Sequence, residues 1–197
     1  MYKRQIYNSI VLLNKTEQFY DKRKLVPFGE YTPLNFFFNP IAEALNIPMS
    51  SLSHGLENQQ NLILSNKIIV YPLICYESAY PGLLKIKDDR FGFILNLSND
   101  GWFGKSFAPH QHLQIAQSRA LETGYPVIRA ANTGITAVIN GNGVIEGRIN
   151  LDEEGYLNMD IYPVKGITYY MYFGDYPILM LIFTIMLIYW KQLNRYE

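Results

Sequence analysis

Short apolar runs alternate with turn-forming residues over most of the chain, a pattern typical of buried strands. The signal is strongest at residues 67–75 (KIIVYPLIC) and 91–97 (FGFILNL). Further strands are predicted at residues 9–13, 126–130, 134–140, 144–148 and 156–162. The turn sequence NGNG at residues 140–143 joins two of these strands into a hairpin.

One helix is clear from the spacing of its apolar residues. Pro109 begins it, Leu113, Ala116 and Ala120 fall on one face, and Gly124 ends it. A shorter helix is predicted at residues 40–45. Strands mixed with helices predict an α/β or α+β sandwich.

The last part of the chain has a different composition. Residues 176–190 (YPILMLIFTIMLIYW) carry no charge and are apolar on every side. Aromatic residues flank this stretch, and Lys191 and Arg195 follow it, as at the ends of membrane helices. We predict a transmembrane helix at residues 176–193, a cytoplasmic tail at 194–197 and a globular part outside the cytoplasm. A buried core helix remains the alternative, because the stretch is short for a span.

The amino-acid composition excludes several classes of protein. The 197 residues suffice for one domain with an appendage. Hydrophobic residues make up 49% of the chain and charged residues 17%, which excludes intrinsic disorder. Seventeen basic and seventeen acidic residues leave no net charge, so we expect no nucleic-acid partner. One cysteine excludes a disulfide framework and a multi-cysteine zinc site within the chain.

That cysteine, Cys75, ends an apolar strand and is followed by Tyr76 and Glu77. A side chain on the turn after a buried strand lies at a sheet edge, where free backbone N–H groups can hold an oxyanion. This placement is typical of a nucleophile. A lone cysteine is also often an inert, buried apolar residue, and both interpretations stay open.

Two more segments are unusual for surface loops. Residues 20–30 (YDKRKLVPFGE) contain a run of charged residues before a turn. A lysine from this run, if it lies near a thiol, favours the thiolate and can stabilise an oxyanion. Residues 98–104 (SNDGWFG) follow another apolar strand. They form either an ordinary Asn/Asp/Gly turn or a loop beside Cys75 in which Asn99 and Trp102 line a pocket.

These motifs carry a resemblance to a known family. The run from Tyr20 to Pro33 (YDKRKLVPFGEYTP), the ICYE around Cys75 and the SNDGWFG loop are similar to the bacterial apolipoprotein N-acyltransferases of the nitrilase (carbon–nitrogen hydrolase) superfamily. Further matches are Gln111-His112, the RALE at residues 119–122, and Arg129 with the NTGIT at residues 132–136.

The resemblance implies a fold and a set of site residues. The fold is a four-layer α-β-β-α sandwich, N-terminally incomplete here, over residues 1–166, with a connector at 167–175. A Glu-Lys-Cys triad is implied, in which Cys75 is the nucleophile and Lys22 the lysine. Glu30 matches the accessory glutamate, and Tyr76 and Glu77 flank the nucleophile. The triad glutamate matches nothing in this sequence, so we expect the chain to be the C-terminal part of the enzyme.

The reaction implied by the resemblance is lipoprotein maturation at the bacterial inner membrane, on its periplasmic side. A phospholipid acyl donor transfers a fatty acyl chain through a cysteine thioester to the N-terminal amine of an apolipoprotein acceptor. Membrane lipid is an implied partner, and no metal or organic cofactor is implied. The alternatives are a nitrilase-fold amidase that hydrolyses a carbon–nitrogen bond, or an inactive, membrane-anchored remnant.

Two other features are assigned weaker roles. His110 and His112 form an H-x-H pair, but residues i and i+2 do not share a helix face, which disfavours a metal site. The aromatic residues 36–38 form either a lid or membrane-dipping arm, or ordinary core packing.

Overall fold

The computed structural model describes residues 5–33, 52–65, 67–84, 86 and 89–193. The helix predicted at 40–45 and the aromatic run at 36–38 lie outside these residues. The described strands are β1 (Ser9–Leu13), β2 (Glu17–Asp21), β3 (Leu62–Ser65), β4 (Ile68–Ile74), β5 (Phe91–Asn99), β6 (Val127–Asn132), β7 (Thr136–Ile139) and β8 (Ile145–Ile149).

Strands β3 to β8 form one six-stranded sheet in sequence order, and β1 and β2 form an antiparallel pair of their own. Strand β5 runs parallel to β4 and to β6, whereas the remaining neighbours are antiparallel. The carboxyl ends of β4, β5 and β6 therefore lie at one edge of the sheet. Cys75 and Asp100 follow two of these ends directly, so the sheet topology brings their segments together.

One face of the large sheet is covered by helix α1 (Ala108–Thr123). Leu113, Ala116 and Ala120 are buried in an apolar cluster with the sheet, which confirms the predicted helix face. Gly124 ends the helix with a φ of 72°. This left-handed conformation is accessible to glycine at little cost, which explains the position of the helix end.

The other face of the sheet packs against the β1–β2 pair. Ile10 and Tyr20 from that pair join Val70, Ile74 and Phe93 in a second apolar cluster. The described residues thus form three layers in the order helix, sheet, sheet. This arrangement supports the nitrilase-like α/β fold that the sequence predicts.

Five predicted strands are confirmed within two residues at each end, as β1, β5, β6, β7 and β8, and the run at 67–75 forms β4. The strand predicted at residues 156–162 is wrong, because this stretch has no regular structure. The side chain of Met159 packs over Gly147 of β8 instead, and Val164, just after this stretch, bridges to Gly92. Strands β2 and β3 were not predicted, because polar residues interrupt the apolar pattern of β2 and because β3 is only four residues long.

Two helices follow the sheet. Helix α2 (Tyr169–Phe173) lies within the predicted connector, and Thr168 caps it by accepting a hydrogen bond from the Met171 N–H. Helix α3 (Tyr176–Leu193) coincides with the predicted membrane helix, but the prediction that it crosses a membrane is wrong. No helix within the described part of the chain is both long and apolar enough for a span. Eighteen residues at ~1.5 Å each reach about 27 Å, less than a ~30 Å hydrocarbon core.

Candidate active site

Cys75 is the first residue of a tight 3-10 turn, Cys75–Ala79, that follows β4 without a linker. Its φ of 52° lies in the left-handed region, which a residue with a Cβ occupies only at a cost of order 1 kcal/mol. The sharp turn places the half-buried side chain at the edge of the sheet. Such a strained turn after a strand is typical of an exposed nucleophile.

Lys22 follows β2 and lies inside the protein, with its side chain fully buried. Its ammonium donates to both carboxylate oxygens of Glu30 at 2.8 Å. Glu30 also accepts a hydrogen bond from the backbone N–H of Val26, at 2.9 Å. The carboxylate therefore neutralises the buried lysine and holds its Nζ in one place.

Glu77 is fully buried and accepts four hydrogen bonds. One oxygen accepts from the backbone N–H groups of Arg23 and Lys24, at 2.7 and 3.1 Å. The other accepts from the Tyr20 hydroxyl at 3.0 Å and from the Ile74 N–H at 2.8 Å. Glu77 thus fastens the segment after β2, which carries Lys22, to the turn that carries Cys75.

Tyr20 completes this link. Burial of its hydroxyl, and then the negative charge of Glu77, raise the pKa of Tyr20 far above its usual value, although the charge of Arg23 opposes the shift. Tyr20 therefore stays neutral and keeps its donor proton for Glu77. The guanidinium of Arg23 donates back to the Tyr20 oxygen at 3.0 Å.

A cavity of about 460 Å³ opens beside the nucleophile. Cys75 and Glu30 line it together with Asn99 and Trp102. Trp102 is 80% exposed and stands at the rim. The remaining lining residues are four aliphatic side chains, three polar side chains and a glycine: Ile10, Leu52, Ile74, Leu97, Asn8, Ser9, Ser98 and Gly29.

Behind the Cys75 turn lies a buried charge pair between Arg129 of β6 and Asp100, which follows β5. The guanidinium donates to Asp100 at 2.6 Å, and also to the side chain of Asn96 and the carbonyl of Ile135. A Cβ at Gly134 would collide with the Asp100 carboxylate, so glycine is needed at that position. Burial lowers the pKa of Arg129, although the charge of Asp100 opposes the shift.

Asp100 is held ionised by its neighbours. Burial by itself would raise its pKa. The contact with His112, the hydrogen bond from Ser98 and the charge of Arg129 outweigh burial, so the pKa of Asp100 is lowered. His112 on α1 lies with Nδ1 3.0 Å from the Asp100 carboxylate and Nε2 3.1 Å from the Cys75 carbonyl oxygen. Through His112, the Arg129–Asp100 pair is therefore connected to the turn that carries Cys75.

The structure brings most of the predicted site residues together. Cys75, Glu30, Asn99 and Trp102 line the cavity, whereas Lys22 is buried next to it and contacts the lining residue Glu30. Tyr76 is 40% exposed, and its ring packs edge-on against Tyr80 rather than lining this cavity. Glu77 lies inside the protein with its carboxylate bound by protein donors, and it does not line this cavity.

Asn96 and Ser78 were not predicted as site residues. Asp100, His112 and Arg129 were noted only within motifs that match the family, apart from the H-x-H pair that includes His112. A sequence signal exists for Arg129, which is the sole charge in an apolar strand and is fully buried. A charge in such a strand needs a buried partner. The described residues contain no group of three or more His, Cys, Asp or Glu side chains that could hold a metal ion.

Comparison with known proteins decides the family. The family model for carbon–nitrogen hydrolases matches residues 2–166. The chain belongs to the carbon–nitrogen hydrolase family. A solved carbon–nitrogen hydrolase from Helicobacter pylori G27 shares the fold with a TM-score of 0.52, at 16% identity over 75% of this chain and 54% of that one.

Within this family, the chain is similar to proteins named apolipoprotein N-acyltransferase. It is 38% identical to the one from Vibrio parahaemolyticus over 95% of this chain, 40% identical to that from Pseudomonas putida over 90%, and 42% identical to that from Photobacterium profundum over 88%. The matches span 39%, 35% and 35% of those relatives. The chain therefore corresponds to somewhat more than a third of their length.

Proposed function

We propose that this chain carries the nucleophile and the oxyanion-stabilising lysine of an apolipoprotein N-acyltransferase. The observation that carries the proposal is that Cys75 and Glu30 line one cavity, and that Glu30 holds the buried Lys22 by a 2.8 Å ion pair. The names of the similar proteins support the reaction class. Because the chain matches only 35–39% of the length of those relatives, the activity of the whole protein is also part of the proposal.

The first half of the reaction forms a thioester. The Cys75 thiolate attacks the ester carbonyl of a phospholipid acyl chain, and a carbon–sulfur bond forms while the ester carbon–oxygen bond breaks. Lys22 and the backbone N–H of Tyr76 stabilise the negative oxygen of the tetrahedral intermediate. The lysophospholipid leaves as an alcohol and takes up a proton.

The second half transfers the acyl chain. The N-terminal amine of a diacylglyceryl-cysteine attacks the thioester, a carbon–nitrogen bond forms, and the Cys75 thiolate leaves. The amine proton passes to a general base. In the family this base is a glutamate, and the resemblance assigns it to no residue of this chain.

The cavity suits an acyl chain because its walls are largely apolar. Ile10, Leu52 and Leu97 line it, and the exposed Trp102 extends the apolar surface at its rim. Both substrates of the proposed reaction are lipid-anchored. We therefore place the reaction at the bacterial inner membrane, on its periplasmic side.

The proposal is tested by exposing the complete protein to phospholipid vesicles and measuring the mass of the Cys75 peptide. We expect an acyl adduct that hydroxylamine removes, as a thioester requires, and no adduct in Cys75→Ser. An apolipoprotein-like peptide with a free diacylglyceryl-cysteine amine then discharges the adduct. Absence of the adduct from a protein whose Cys75 still reacts with iodoacetamide would contradict the proposal.

The family name keeps carbon–nitrogen bond hydrolysis as a second candidate. Both reactions use Cys75 and Lys22, and they differ in the group that attacks the thioester. If water discharges the thioester as fast as the amine peptide does, and an amide substrate forms the same adduct, the hydrolase is the better assignment.

A further inference from the structure

The carbonyl oxygen of Cys75 accepts hydrogen bonds from three side chains on three different segments. The Ser78 hydroxyl donates at 3.1 Å, Asn96 Nδ2 of β5 at 3.4 Å, and His112 Nε2 of α1 at 3.1 Å. A carbonyl oxygen can only accept, so His112 Nε2 is the donor in this contact. The oxygen is thus held inside the protein by donors that face it from the turn, the sheet and the helix.

Holding this oxygen fixes the direction of the next N–H group. The C=O and N–H of a trans peptide point in opposite directions, and the described peptide bonds include no cis bond. With the Cys75 oxygen turned inward, the Tyr76 N–H points outward. This N–H belongs to the first turn of the 3-10 helix, where amides have no partner within the helix. It is the group that the proposed function uses for the oxyanion.

The backbone at Cys75 does not hold this orientation by itself. Its φ of 52° is unfavourable for a residue with a Cβ, so relaxation of φ would rotate the peptide plane and turn the N–H away. The three donors oppose that rotation. They act from outside the cavity, since His112 and Asn96 do not line it.

His112 is the donor with the most firmly held side chain. Its Nδ1 lies 3.0 Å from Asp100 Oδ1 and 3.1 Å from Arg129 Nη2, and all three side chains are buried. Because Arg129 and Asp100 are themselves paired at 2.6 Å, the ring cannot turn without disturbing a buried ion pair. Its Nε2 also lies 3.0 Å from the Ser78 hydroxyl, so the histidine orients a second donor to the same oxygen.

We propose that His112 is a positioning residue that aims the Tyr76 N–H at the oxyanion by donating from Nε2 to the Cys75 carbonyl oxygen, with Asp100 and Arg129 fixing its ring. The inference deepens the proposed function and rests on its use of a backbone oxyanion donor. His112 itself touches no substrate, so its effect is confined to steps that develop negative charge on an acyl oxygen.

Two variants of the same residue isolate the Nε2 donor. In His112→Gln the amide nitrogen can occupy the place of Nε2 and keep the bond to the Cys75 oxygen. In His112→Asn the shorter amide reaches only the place of Nδ1, so contact with Asp100 is kept and the donor to Cys75 is lost. Urea unfolding shows whether each variant is folded.

Two reagents separate positioning from a general effect on the site. Iodoacetamide alkylates Cys75 by displacement and forms no oxyanion, whereas p-nitrophenyl butyrate acylates it through a tetrahedral oxyanion. The ratio of acylation to alkylation rates is the readout, with Cys75→Ser as the blank. We expect the ratio to fall roughly 10- to 100-fold in His112→Asn, because a displaced oxyanion donor has effects of that size, and to stay near the wild-type ratio in His112→Gln.

The proposal is overturned if the ratio is unchanged in His112→Asn, if both rates fall together, or if His112→Gln loses as much as His112→Asn. A wild-type Cys75 that reacts with iodoacetamide but not with the ester also overturns it. Should His112→Asn fail to fold, Ser78→Ala removes another donor to the same oxygen without touching Asp100, and the same selective fall is required. If the ester results hold but phospholipid yields no thioester, the proposed function fails and the positioning role stands.

Discussion

The Lys22–Glu30 pair shows how two charges can be kept in a partly closed site. The lysine side chain is fully buried and the glutamate side chain is 17% exposed, so only the glutamate retains some contact with solvent. A buried charge without a partner costs several kcal/mol, whereas a charge that reaches water costs less. The two single substitutions should therefore differ in their effect on stability.

We predict that Glu30→Gln lowers the free energy of unfolding by about 3 kcal/mol or more, because it leaves the Lys22 ammonium buried without its counter-charge. Lys22→Met should cost less, since Glu30 can still be hydrated from the cavity. The double variant should be more stable than Glu30→Gln alone. Urea unfolding of all four proteins at pH 7 completes the cycle, and strictly additive losses would contradict this account.

Sequence motifs could point to individual residues as candidates, but they could not reveal groups that only the fold brings together. Cys75, Lys22 and Glu30 lie in short motifs that the family resemblance identifies. Asn96 and His112 meet at the Cys75 oxygen from separate elements, and no spacing along the chain encodes that meeting. The roles of the predicted residues in a reaction stay predictions until the thioester is measured.

At the scale of elements, Glu77 is the residue that joins two segments. It connects β2 and the chain after it to the turn after β4 through three hydrogen bonds, and a fourth, from the Ile74 N–H, lies within its own segment. A glutamine in its place would turn an amide NH₂ towards two of these donors. Such buried donors would then lack an acceptor, which costs about 1–3 kcal/mol each.

We therefore predict that Glu77→Gln lowers the free energy of unfolding by about 2–4 kcal/mol and slows acylation of Cys75, because Lys22 and Cys75 are no longer fixed to each other. Glu57→Gln is the matched control. Glu57 is exposed and pairs with the exposed Lys24, and such surface pairs contribute at most about 1 kcal/mol. The two variants are compared by urea unfolding and by the rate of p-nitrophenyl butyrate acylation. Equal effects of the two substitutions would contradict the role of Glu77 in joining the two segments.

Sequence periodicity predicted the central elements well and the outer ones poorly. Strands β4 and β5 are buried on both faces and read as continuous apolar runs, and α1 has a clear apolar face between Pro109 and Gly124. Strand β2 mixes Glu17, Gln18 and Asp21 with its apolar residues because one of its faces is open. Its place in the fold depends on pairing with β1, which periodicity within one strand does not reveal.

At the scale of the whole molecule, two apolar clusters on the two faces of the sheet form the core, and neither contains a residue of α3. Helix α2 is attached to the body, since Met171 packs against the first cluster and Thr168 donates to the Glu122 carbonyl. The large apolar side chains of α3 between Tyr176 and Trp190 are 45–74% exposed. The helix therefore contributes surface rather than core.

We predict that a chain ending at Asp175 keeps the urea midpoint of the full chain, because no residue of either cluster is removed. A chain ending at Lys165 should unfold at lower urea, since it loses Met171 and the Thr168 contact. The shorter chains should also associate less in buffer, because exposed apolar surface of this extent drives association. Unfolding followed by intrinsic fluorescence and sedimentation velocity measure the two effects. If removing α3 alone lowers the midpoint as much as removing α2 and α3 together, then α3 packs on the body and the boundary of the folded core lies beyond Asp175.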